Sequence, residues 1–214
     1  MTHPIPTTAW SNVLKTESDL RAIYKRPGAG ATAKCLTQLD VHSGRFIELS
    51  PFACLGTSAP NGLGDVTPRG GEPGFVHVLC PTHVALPDRP GNNRLDSLTN
   101  ILKNPGVGLL FFIPGFEDTL RVNGIAQIST DQTLMQRFVA NGKSPISVIV
   151  IEVREVYLHC VKALRRSGLW HLESQIDRRT FPSAGQIYRD QLALQNEAAA
   201  IDQALDKDAR ERLY

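Results

Sequence analysis

Four side chains in one short stretch, Arg89, Asn93, Arg94 and Ser97, carry the donors that would grip an anion: two guanidinium forks, an amide and a hydroxyl. They sit in a turn. Val84-Ala85-Leu86 before them is apolar and strand-like, and the segment 87–93, with two prolines, a glycine and two asparagines, cannot continue a regular strand. From Arg94 the spacing becomes helical, with Leu95, Leu98, Ile101 and Leu102 on one face, until Asn104-Pro105-Gly106 stops it. A helix beginning near Asn93 leaves unpaired backbone N–H groups and partial positive charge facing the turn, which suits a phosphate. The plainer alternative is that Asn93 caps the helix and the arginines are solvated.

A second set lies at 162–170. If this segment is helical, Lys162, Arg165 and Arg166 fall on one side and Gly168 ends the turn before Trp170. The alternative reading is a solvated cation group beside an ordinary packed tryptophan. The histidines at 42, 77, 83, 159 and 171 are isolated from one another, so no nucleophile and base pair stands out. Arg69 and Arg121 are candidate cations for a substrate.

The elements that must position these groups read as mainly β. The sequence predicts a helix over Glu17 to Tyr24 and a second from Ala31 towards His42, with Gly44 punctuating it ahead of residues 46–49; both helices should cover a sheet. Residues 52–58 read as a strand, Asn61-Gly62 as a hairpin turn, and 65–71 as an extended edge that Pro68 keeps out of a central position. Short strands follow at 75–79 and 84–86. Residues 108–113 are so apolar that both faces should be covered, which makes this the expected innermost strand. Leu120, Val122 and Ile128 alternate with polar neighbours around Gly124, and 147–153 is strongly β-branched. Residues 186–213 read as one polar helix with Ile187, Leu194, Ala198, Ile201 and Leu205 on a narrow stripe. Successive short strands with tight turns predict an antiparallel barrel. The expected organisation is an N-terminal arm and helices over 1–44, a barrel over 45–172 and a helical tail over 173–214.

The totals set bounds. At 214 residues the chain can bury a full core without metal or disulfide support. A net charge of +2 without single-sign runs argues against a nucleic-acid surface. The four cysteines, Cys35, Cys54, Cys80 and Cys160, form no CxxC pair, so they are expected as buried thiols in a reducing cytosol, with no metal site. No apolar run suggests a signal segment or a membrane span, so a soluble, cytoplasmic protein is expected.

In this order, DVTPRGG at 65–71, LPDRPGNNRLDSLTNILKNPGVGLLFFIPG at 86–115, TLRVNG at 119–124 and HCVKALRRSGLW at 159–170 resemble the pyridoxamine 5′-phosphate oxidase-like flavoproteins. The resemblance covers about residues 45–170. It implies an antiparallel split β-barrel that binds FMN; with the N-terminal helices and the C-terminal helix, which are extra to the family's pattern, the expected fold is α+β, mainly β with flanking helices. It also implies a homodimer with the flavin between subunits. Arg89, Asn93, Arg94 and Ser97 then correspond to the phosphate site. Asp65, Val66, Thr67 and Arg69 match the strand along the isoalloxazine edge, where hydrogen bonds tune the ring. Lys162, Arg166, Ser167 and Trp170 match a segment that approaches the cofactor from the partner chain. Gly91-Asn92-Asn93-Arg94 replaces the Ser-Arg-Lys run of enzymes that oxidise pyridoxamine phosphate, so the vitamin B6 substrate itself is not implied. The expected activity is an FMN-dependent oxidoreductase of a small molecule. The other reading is a non-catalytic dimer that holds FMN, haem or a deazaflavin.

Overall fold

The computed structural model describes residues 10–214. The chain divides into a short unit up to Lys34 and a second unit from Cys35 to Tyr214. In the first, α1 (Glu17–Ile23) starts at a capping box between Thr16 and Asp19, and α2 (Ala29–Ala33) is a single turn and a half. The second helix therefore ends well before the expected His42. A separate helix, α3 (Val41–Leu49), takes up residues 46–49 and runs through Gly44. Its start is dictated by Asp40, whose carboxylate accepts from the Ser43 N–H while the Ser43 hydroxyl answers the Asp40 N–H. A glycine inside a helix costs about 1 kcal/mol, and a cap of this kind offsets about as much.

The second unit is built on one seven-stranded antiparallel sheet: β1 (Phe52–Ser58), β2 (Gly64–Gly70), β3 (His77–Cys80), β4 (His83–Asp88), β5 (Gly106–Phe112), β6 (Thr119–Ser129) and β7 (Ser147–Leu158), in the order β2-β1-β5-β6-β7-β4-β3. This is a split β-barrel in which β2 and β3 remain edges. Pro68 sits on edge strand β2 opposite Cys54, where its missing N–H costs no ladder bond. The β1–β2 turn uses Gly62 at φ +83. The sheet curls enough that Arg69 of β2 reaches Asp88 at the end of β4, 2.8 Å away, although four strands separate them in the order.

The core lies inside the curl. Ala53, Leu55, Leu109, Phe111, Val122, Ile149, Ile151 and Leu86 are buried there, joined by Ile47 of α3 and Ile101 of α4 (Asp96–Lys103). β4 is covered on its other face as well, where Ala85 and Val148 meet Met135 and Phe138 around α5 (Gln132–Gln136). β5 departs from expectation: Val107, Leu109 and Phe111 are buried, but Gly108, Leu110 and Phe112 between them are half-exposed, and β6 occupies the middle of the sheet. β6 does not break at Gly124. It shifts register there by one residue against β7, since a side chain at that position would collide with the Glu152 carbonyl oxygen.

After β7 come α6 (Lys162–Ser167) and then α7 (Ala184–Leu192) and α8 (Ala198–Glu211). The expected single helix over 186–213 is thus two. Ala193 adopts φ 51, ending α7, and the Gly185 N–H donates to Asp202 at 2.7 Å across the pair. Close approach at Gly185, where a Cβ would meet the Ala198 carbonyl, lets the two helices fold back on each other. Cys35, Cys80 and Cys160 are exposed and Cys54 half-buried, so the expected thiol burial is not found. No helix among the described residues is long and apolar enough to cross a membrane, and no metal-holding cluster occurs among them.

Candidate functional site

Where β2, the end of β4 and the start of α4 converge, a cavity of about 450 Å3 opens. Thr67 and Arg69 enter it from β2, Asp88 and Arg89 from β4 and the residue after it, Gly91 to Arg94 from the connecting turn, and Asp96 and Ser97 from α4. Leu95 occupies the N-cap position at φ 60, Asn93 adopts φ 59, and no side chain caps the helix. Asn93 is therefore not the cap, and the first-turn N–H groups of α4 keep their partial positive charge free of a protein acceptor. Asn92 holds the turn through its side-chain Oδ1, which accepts from the Arg94 N–H at 3.1 Å.

A polar chain fixes α4 to the β1–β2 hairpin. Ser97 Oγ donates to Asp65 Oδ2 (2.9 Å), which also accepts from Thr57 Oγ1 (3.1 Å), and Asn100 Nδ2 donates to Thr57 Oγ1 (3.0 Å). Ser97 and Asn100 are buried, while Leu95 and Leu102 of the expected apolar face are exposed. The inward face of α4 is thus half polar, because it docks on a polar hairpin.

The twelve residues singled out from the sequence fall in three places. Thr67, Arg69, Arg89, Asn93, Arg94 and Ser97 line this one cavity. Asp65 lies behind it as the acceptor for Ser97, and Val66 is 70% exposed on the edge strand. Lys162, Arg166, Ser167 and Trp170 do not line it. The Trp170 indole N–H donates to the Phe116 carbonyl (2.7 Å), and Arg165 rather than Arg166 makes an ion pair, with Glu117 at 2.7 Å. Arg121 is also elsewhere, its guanidinium donating to the Tyr157 hydroxyl (2.9 Å). Sequence reasoning missed Asp88, Thr57 and Asn100. Only the curl of the sheet brings Asp88 to Arg69, and no local pattern announces that.

The donor set fits a phosphate. Arg69 Nε and Arg89 Nη1 are buried without a hydrogen-bond partner, and such donors are costly unless something accepts from them. One other nitrogen of each is engaged: Arg69 Nη1 by Asp88, and Arg89 Nη2 by the Phe138 carbonyl at 2.8 Å. Arg94 pairs with Asp96 at 2.8 Å, which raises its pKa, and its side chain is mostly exposed. Ser97 has one hydroxyl proton and gives it to Asp65, so its contribution to an anion is its backbone N–H.

A family model described as pyridoxamine 5′-phosphate oxidase matches residues 42–160. The chain belongs to this family. Every strand of the sheet falls within the family's matched segment, as do all residues lining the cavity, whereas α6, α7 and α8 lie beyond it. Similar solved structures include general stress protein 26 of Bacillus anthracis, at 19% identity over 53% of this chain and 88% of that one, with a TM-score of 0.42. An FMN-binding protein of Syntrophomonas wolfei aligns at 9% identity over 56% of this chain and 86% of that one, with a TM-score of 0.45. An F420 reductase aligns at 18% identity over 54% and 94%, with a TM-score of 0.38. No curated protein matches the sequence.

Proposed function

We propose that this chain binds FMN, with its phosphate in the cavity between β2, β4 and α4, and serves as a cytoplasmic FMN-dependent oxidoreductase of a small-molecule substrate. The observation that carries the reading is the pair of buried, unpartnered guanidinium nitrogens on Arg69 and Arg89, beside the uncapped start of α4. A dianion would satisfy both arginines and the helix N–H groups at once. Arg94 would join by sharing its charge between Asp96 and the phosphate. When bound, the flavin supplies electron-pair transfer at its N5 atom. The protein's share is to hold and orient the ring through Thr67 and the β2 backbone and to keep water away from it.

The working form is proposed to be a homodimer. Leu95 and Ile146 line the cavity yet are 53% and 58% exposed, an apolar rim that a ring system and a second copy would cover. Lys162, Arg166, Ser167 and Trp170 of that copy would complete the pocket, which accounts for their separation from it within one chain.

Titration of the purified protein with FMN, followed by flavin fluorescence, tests the reading. Arg89→Ala is expected to weaken FMN about ten- to a hundred-fold, the worth of one charge-assisted hydrogen bond, while riboflavin, which lacks the phosphate, binds both proteins alike. Protein that neither carries a flavin nor takes one up would overturn it. A second reading, a module that holds FMN, haem or a deazaflavin without turnover, is favoured by one feature: both carboxylates in the cavity, Asp88 and Asp96, are held by arginines, leaving neither as a free base. Repeated reduction by NAD(P)H in the presence of an acceptor decides for the enzyme.

A further inference from the structure

The last residues of the described chain bear on the candidate cofactor site. α8 contains no buried residue, and its final turns are laced by their own ion pairs, Arg210 with Asp206 and Arg212 with Asp208. Its main packing partner is α7. Even so, residues 212–214 are held at three points. Arg212 Nη2 donates to the Gly91 carbonyl at 3.2 Å, across 121 residues of chain. The Tyr214 ring lies over Arg89, its centroid 4.9 Å from the guanidinium carbon. Lys143 Nζ donates to the Tyr214 carbonyl oxygen at 2.7 Å. Two of these three points, Gly91 and Arg89, line the proposed phosphate cavity.

Arg89 is the residue for which this matters. A free arginine side chain samples many rotamers, and fixing it for one contact forfeits that freedom. Here the Phe138 carbonyl holds Nη2 and the Tyr214 ring covers the guanidinium plane, while Nη1 is left buried and unpartnered. Aromatic stacking suits this task, because a ring holds a guanidinium by its face and uses none of its N–H groups. Tyr214 also lines a neighbouring cavity of about 180 Å3 together with Arg89, Arg137 and Phe138, so the arginine stands between two open spaces and needs a wall on one side.

We infer that Tyr214 is a positioning residue: its ring, with the bond from Arg212 to Gly91, latches the 89–91 turn and keeps Arg89 set for the phosphate of the bound cofactor. The inference rests on the FMN reading above. By linkage, a cofactor that needs Arg89 in this pose must in turn hold the latch closed.

Three variants test it: Tyr214→Ala, Tyr214→Phe, which keeps the ring, and Leu213→Ala as a neighbour whose side chain is exposed. Tyr214→Ala is expected to weaken FMN about three-fold, the equivalent of one cation–π contact, mainly through faster release. Tyr214→Phe and Leu213→Ala should stay close to the parent. Riboflavin affinity should be the same in all four proteins, because the effect passes through Arg89. Hydrogen exchange in the last turn of α8 should slow when FMN is added to the parent and not to Tyr214→Ala. Equal FMN affinity in the parent and Tyr214→Ala overturns the latch, as does an equal loss for riboflavin and FMN; both leave the cofactor reading standing. A parent protein that binds no FMN overturns the cofactor reading, and the latch with it.

Discussion

Replacing Asp88 by Asn separates what the fold needs from what the cavity needs. The Asp88 carboxylate meets Arg69 at 2.8 Å, with side-chain exposures of 12% and 21%, and it is the bond that joins the two wings of the curled sheet. Breaking a fully buried ion pair by removing one partner costs about 3–5 kcal/mol, and an exposed pair is worth about 0–1 kcal/mol. At this intermediate exposure, and with the amide oxygen still able to accept from Arg69, the expected loss is about 2 kcal/mol. With a urea m-value of about 2 kcal/mol/M, the unfolding midpoint falls by about 1 M. The cavity responds in the opposite direction. Asp88 lines the cavity, so losing its negative charge favours a phosphate bound there; at an effective dielectric near 20, one unit charge at roughly 8 Å is worth about 2 kcal/mol before salt screening. FMN should bind about ten-fold tighter at low salt, and the gain should shrink as salt is added. Urea denaturation and fluorescence titration at two ionic strengths read both effects. An Asp88→Asn protein of unchanged stability refutes the wing-bridging role, and one that binds FMN more weakly refutes the electrostatic account of the cavity.

Two further outcomes follow from the same contacts. Gly124→Ala is expected to lose at least about 2 kcal/mol, because the new methyl collides with the Glu152 carbonyl and with Ile151 at the register shift; an unfolding midpoint equal to the parent's would show that β7 can move aside. Cys80 is exposed, and hydrogen bonding from Thr82, joined by His83, lowers its pKa to about 7. Since the thiolate is the nucleophile, its alkylation by iodoacetamide should be slow below pH 7 and level off above it, and Thr82→Val should move that profile to higher pH. A profile that keeps rising to pH 9, or that ignores the Thr82 change, counts against this.

How much of this protein could be read from its sequence depends on how local each cause is. The strands were readable because alternation and turn chemistry act within a few residues: Asn61-Gly62 makes a hairpin and Pro68 marks an edge whatever lies elsewhere. The same local rules place α1, which starts at Glu17 as expected, but misplace two other helix starts: at α3 the Asp40 and Ser43 cap overrides Gly44, and at α4 the apolar pattern begins at Leu95 while the backbone there is left-handed. The C-terminal segment forms two helices where the pattern predicts one, for a related reason. Its apolar stripe runs through Ala193 to Glu197 without a proline or glycine to mark a stop, and the break is fixed instead by Gly185 fitting against Ala198.

The site follows the same division. Arg89, Arg94 and Ser97 could be grouped from the sequence because the donors around one turn and one helix start are contiguous in it, and all three line one cavity. Their states could not be read there. Whether an arginine is free to grip a ligand depends on which partners the fold brings to it, and the partners here come from far along the chain: the acceptors Asp88 for Arg69 and Phe138 for Arg89, and the Tyr214 ring against the Arg89 guanidinium. Arg94, the one whose acceptor is a near neighbour, Asp96, is also the one left mostly in solvent. Arg94 stands at the head of the helical pattern in the sequence, whereas in the fold it is Arg69 and Arg89 that carry buried nitrogens without a hydrogen-bond partner.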